Sequence, residues 1–127
     1  MAYVTDIETA TLENEDFRRV LHTAEHSQLV MMTLGPGEEI GMETHADIDQ
    51  FLRIEEGQGT AVLDGEEYRL SDGSAVVVPA GTEHNVVNTS SRAKLKLYTI
   101  YSPPGHADGT VHATKAEADA SEEALHH

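Results

Sequence analysis

Turn signals built on Gly and Pro cut this chain into short runs of β-branched and aromatic residues, and that punctuation restricts it to an all-β fold. Phe17 to Thr23 and Gln28 to Leu34 read as paired strands joined through Ala24–Ser27. Leu34–Gly35–Pro36–Gly37 is a breaker, and a further run from Gln50 to Ile54 ends in Glu55–Gly59. Thr60 to Leu63 and Glu67 to Leu70 flank Asp64–Gly65, a dipeptide suited to the tight turn of a hairpin. Ala75 to Val78 is stopped by Pro79, and Asn85 to Val87 and Leu95 to Tyr101 complete the set. The signals recur about every 8 to 12 residues, the spacing of a sandwich or barrel.

At 127 residues there is room for one domain with a proper core and not for two. We divide it into an N-terminal segment (1–16), a β-barrel (17–104) and a tail (105–127). In the tail, Ala113 to Leu125 is rich in Ala, Glu and Lys, with Thr114 and Glu117 spaced as a capping box for a surface helix. His126 and His127 are either native or the start of an affinity tag and are not candidate ligands.

The formal charge of −15, from 23 acids against 8 bases, argues against nucleic acid and anionic membranes as partners. An anionic substrate would need a local positive charge, which a bound metal ion supplies. No apolar run reaches the roughly 20 residues of a membrane span. The start lacks an apolar signal segment, which makes the cytoplasm the expected location. Without cysteine, disulfides and thiolate chemistry are excluded.

Two spacings carry the chemistry. Gly73 is followed by five residues and Pro79, then Gly81, His84 and Asn88. This series resembles the second motif of the cupin superfamily: glycine, five residues, Pro-x-Gly, two residues, His, three residues, Asn. The first cupin motif resembles Gly37, Glu43, His45, Gln50 and Gly57, whose intervals all match. The count back from Gly57 decides the register. The alternative, pairing His45 with Asp47, would leave Phe51 or Leu52 in the glutamate slot, and neither binds metal.

The resemblance implies a cupin jelly-roll barrel over roughly residues 28 to 101, with Glu43, His45, Gln50 and His84 as metal ligands. Two apart on a strand, Glu43 and His45 would share a face. Two imidazoles, a carboxylate and an amide oxygen suit one divalent first-row ion: Zn, Mn, Fe, Ni or Co. The neutral amide stands where cupins usually hold glutamate, and Glu43 where they usually hold histidine. The remaining coordination positions are open, the catalytic pattern rather than the structural one.

Within the superfamily the chain most resembles small proteins of the mannose-6-phosphate isomerase-like kind. The expected function is therefore that of a metal-dependent isomerase-like or lyase-like enzyme on a small sugar or keto acid. Glu43 would then double as the proton-shifting group. An Fe(II)-type dioxygenase and a non-catalytic small-molecule-binding cupin are the alternatives. No helix-turn-helix precedes the barrel, and homodimers are common among such proteins.

Other residues are expected to be structural. Asp47 and Asp49 read as solvated loop acids, Met32 and Met42 as core filler. Arg53 reads as an outward partner of Glu55 or Glu67. Leu95, Leu97, Thr99 and Tyr101 would line the barrel, while Tyr98 and Ile100 face outward against an N-terminal strand or a partner subunit. His22 and His26 are placed on the surface; His106 and His112, which follow the Pro-Pro break, are also read as surface residues, with closure of the barrel mouth as the alternative.

Overall fold

The computed structural model describes residues 1–125; His126 and His127 lie outside the described residues. In chain order the elements are α1 (Ile7–Glu13), β1 (Arg18–Thr23), β2 (Gln28–Leu34), β3 (Asp49–Glu56), β4 (Gly59–Leu63) and β5 (Glu66–Leu70). There follow β6 (Ala75–Val78), β7 (His84–Asn88), β8 (Leu95–Ser102), β9 (Val111–His112) and α2 (Lys115–Leu125). The larger antiparallel sheet runs β6-β3-β8-β2-β1-β9 and the smaller one β5-β4-β7. Asp64 and Gly65 both adopt positive φ at the β4–β5 turn, as that hairpin requires.

Strand alternation fills the space between the sheets. Leu95, Leu97, Thr99 and Tyr101 are buried and line the interior as expected. Across the large sheet, Ile54, Leu97, Met32 and Arg18 form one row, and Gln50, Tyr101 and Gln28 another. Val76, Val78, Ala61, Leu70 and Val86 close the core from the neighbouring strands.

The N-terminal segment contributes a helix, where no element had been assigned from sequence. Asp6 caps α1 by accepting from the Thr9 N–H at 3.1 Å. α1 packs against β8 and β3. The Lys96 ammonium, on the outward face of β8, donates to the Asn14 carbonyl and to Glu15 at the helix exit. At the other end Thr114 Oγ1 accepts from the Glu117 N–H, and Glu117 accepts from the Ala113 N–H. α2 is not wholly superficial, since Ala118 joins the core. The short strand β9 carries the tail back onto the barrel by pairing with β1.

Glu43 and His45 do not lie on a regular strand. The segment from Glu38 runs beside β7 through two isolated bridges, Glu39 with Val87 and Glu43 with His84. Those pairings differ in register by one residue, so an extra residue bulges out between them. Gly41, at φ +111°, sits in the bulge, and its N–H donates to the Asn85 side chain at 2.9 Å. A one-residue slip exchanges the faces of everything beyond it. Glu43 thereby comes opposite His84, while Met42, expected in the core, is 51% exposed.

Candidate metal centre

Three of the four expected ligands meet at one point. Glu43, His45 and His84 each offer a donor atom, and these atoms lie within 4.8 Å of one another. Backbone geometry accounts for the meeting. Glu43 and His84 exchange both N–H···O bonds at 2.9 Å, which makes them directly opposed with side chains on one face. His45 is tied to the turn before β7 by the Gly81 N–H donating to its carbonyl at 2.8 Å. The two imidazole centroids stand 5.3 Å apart.

The hydrogen bonds also select which atoms face the centre. His84 Nδ1 lies 2.9 Å from the Thr82 carbonyl. A carbonyl only accepts, so Nδ1 carries the proton and Nε2 keeps its lone pair, the tautomer of a metal ligand. His45 Nε2 is 3.0 Å from Glu43 Oε2, yet it lacks the alignment of a hydrogen bond and is buried without a partner. Gln50 is buried; its Nε2 donates to Thr99 Oγ1 at 3.0 Å, while its Oε1 has no partner. Buried polar atoms are nearly always paired; His45 Nε2, without a hydrogen bond, sits among donors that suit a divalent ion, and Gln50 Oε1 is a second such atom on β3. The residues therefore fit a metal.

Burial opposes ionisation of the Glu43 carboxyl. The close approach of His45, then the Arg18 guanidinium and the nearby His84 ring, outweigh that and hold it below the ordinary carboxylate range. Glu43 is thus ionised at neutral pH and available to a cation.

Asp47 and Asp49 are both exposed, in keeping with solvated loop acids. Asp49 accepts from the Ala80 N–H at 2.8 Å and braces the Pro79–Gly81 turn. Arg53 faces outward, 3.7 Å from Glu55.

His106 was expected on the surface and is instead half-buried against the Tyr101 ring, with centroids 4.9 Å apart. Gln28 holds it there. The Gln28 Oε1 accepts from the Gly105 and His106 N–H groups, and its Nε2 donates to the His106 carbonyl at 2.9 Å. Burial first, and the charge of Arg18 second, push the His106 imidazole down to about 4, so it is neutral at physiological pH. Tyr101 in turn meets His45 edge-on at 6.2 Å. Gln28 and Arg18 were not singled out from sequence, although the alternation of β2 places Gln28 inward with Val30 and Met32.

The family described as "Cupin domain" matches residues 30–101. The chain belongs to the cupin family. This cupin is 50% identical over 127 residues to the uncharacterized protein YrkC of Bacillus subtilis, across 95% of the chain and 68% of that protein. A solved structure from Bacillus halodurans superposes with a TM-score of 0.91 at 46% identity, covering 94% of this chain and 95% of that one. Quercetin 2,3-dioxygenase of Bacillus subtilis is 30% identical over 84 residues, which span 66% of this cupin and 25% of the dioxygenase. No described helix is long and apolar enough to cross a membrane.

Proposed function

We propose that this cupin is a metal-dependent enzyme acting on a small oxygen-bearing substrate, isomerase-like or lyase-like in reaction and nearest to the mannose-6-phosphate isomerase-like kind. The observation that carries it is the convergence of Glu43, His45 and His84 on one point, and the unpaired buried Oε1 of Gln50 makes that residue the fourth candidate ligand. These four would hold one divalent ion, leaving positions for substrate. Such an ion supplies Lewis-acid polarisation of a carbonyl or hydroxyl oxygen. The chain's own residues do the rest. His84 is fixed in its ligating tautomer by Thr82, Glu43 is the carboxylate positioned to move a proton, and Tyr101 with the His106 segment screens the centre from water.

The test is elemental analysis of the purified protein. It should show about one first-row metal per chain, the stoichiometry of a mononuclear site. His84→Ala should abolish it and Glu43→Ala should lower it sharply, while Asp47→Ala should leave it intact. Metal lost on Asp47→Ala and kept on Glu43→Ala would sink the ligand assignment. An Fe(II)-type dioxygenase is the second reading, supported by the likeness to quercetin 2,3-dioxygenase. Oxygen consumption by the iron-loaded protein separates the two. A homodimer belongs with either reading, and light scattering checks it.

A further inference from the structure

Arg18 is the anomaly of the interior. It begins β1 on the row of Met32, Leu97 and Ile54, where every other side chain is apolar, and it is only 2% exposed. Among the described residues its guanidinium has no hydrogen-bond or ion-pair partner, and its Nε is buried and unpaired. The Phe17 ring, 5.5 Å from the guanidinium carbon, takes one face of the group and leaves the in-plane N–H donors unused. A buried guanidinium whose N–H donors meet no acceptor is strongly unfavourable, so its retention points to an anion that arrives from outside.

Its neighbour across the strand pair repeats the pattern. His112 on β9 lies opposite Arg18, and its Nδ1 is likewise buried without a partner. Two unpaired groups on adjacent strands, an arginine edge and an imidazole nitrogen, converge in a region whose field reaches the metal centre. The Arg18 charge acts on both Glu43 and His106. Glu43 feels this charge without direct contact, since its ion-pair partner is His45. With a divalent ion on Glu43 and Arg18 still unpaired, the loaded interior is net positive within a protein of charge −15.

We propose that Arg18, assisted by His112, binds the carboxylate of a small acid whose other oxygen occupies the metal centre. The inference rests on the metal-enzyme reading above and narrows its substrate from a sugar or acid to a carboxylic acid. A planar carboxylate takes the edge of a guanidinium, and one ring nitrogen beside it completes the cradle.

The experiment titrates pyruvate, its neutral counterpart hydroxyacetone, and inorganic phosphate into zinc-loaded and chelator-stripped protein, followed by calorimetry and by the shift in thermal midpoint. Pyruvate should bind the loaded protein, and Arg18→Gln should weaken it at least about tenfold, the scale of one charge-assisted contact. Arg18→Gln should leave hydroxyacetone binding and zinc content unchanged. His112→Gln should weaken pyruvate by a smaller factor. Weak pyruvate binding that depends on Arg18 should persist after stripping, which keeps this inference distinguishable from the metal reading. If zinc does not bind but that dependence survives, the metal reading fails alone. Should Arg18→Gln not fold, Arg18→Lys serves, retaining the charge while losing the planar edge and weakening pyruvate. Pyruvate binding indifferent to Arg18, no binding of pyruvate, or phosphate binding in its place overturns the proposal.

Discussion

Along β3 and β8 the barrel interior changes character within four residues. At one end Ile54 faces Leu97 and both are fully buried; at the other Gln50 faces Tyr101, beside His45 and His84. The apolar end has its stabilisation in hand, because each side chain is surrounded by others of its kind. The polar end leaves His45 Nε2 and Gln50 Oε1 without hydrogen bonds, at a cost the apolar end has to offset. The two ends share strands and hydrogen-bond ladders but differ in what remains unsatisfied. Stability is concentrated where nothing is missing, and chemistry where something is.

Truncating the apolar end is the strongest way to break this division. Leu97→Ala should cost about 2–5 kcal/mol, the usual range for a fully buried leucine. It should lower the denaturant midpoint while the folded protein keeps its metal stoichiometry. Metal lost in step with stability would show that the ends do not act separately.

The bulge tests the polar end at smaller cost. Gly41 has open space around the position of a Cβ, so a side chain meets no clash there. Its φ of +111° is nonetheless strained for an L residue, by about 1–3 kcal/mol. Gly41→Ala should therefore act through conformation alone, pressing the segment to give up the register that aims Glu43 at His84. Metal affinity, measured by competition with a chelator, should fall about tenfold or more, following the conversion of strain into affinity. The denaturant midpoint of the metal-free protein should move much less.

Which features could be read from sequence follows from the same division. The spacings that were legible are those fixed by local backbone demands. Gly57 needs φ +112°, and a Cβ there would lie 2.6 Å from the Lys94 carbonyl. Asn88 donates to the Leu34, Gly35 and Ala93 carbonyls and accepts from the Ser90 N–H, which makes it a staple and not a ligand. Such residues hold position whatever the site contains, so counting between them pointed to Glu43, His45 and His84, which converge. The strand alternation gave the lining of β8 for the same reason. The bulge at Gly41, the docking of β9 that sets His112 beside Arg18, and the grip of Gln28 on His106 depend on contacts between distant segments. None of these leaves a periodic trace. His106 was misread because a histidine after a Pro-Pro break looks like a surface loop, and only Gln28, 78 residues away, brings it inward.

That grip yields the finest test of the contrast, through pH. The His106 pKa stands at about 4 in the folded protein against an ordinary 6.5. Between these values the unfolded chain holds the proton and the folded one does not, so acidification favours unfolding. The stability that neutral His106 contributes is complete above about pH 6.5, is lost as pH falls toward 4, and changes no further below. His106→Asn carries no such proton. Measured on metal-free protein, its stability relative to the parent should rise by about 1–2 kcal/mol over that window, once solvent access to the loop is allowed for. Parallel pH profiles for the two proteins would mean that His106 is solvated, and that the polar end opens further toward water than the Gln28 clamp implies.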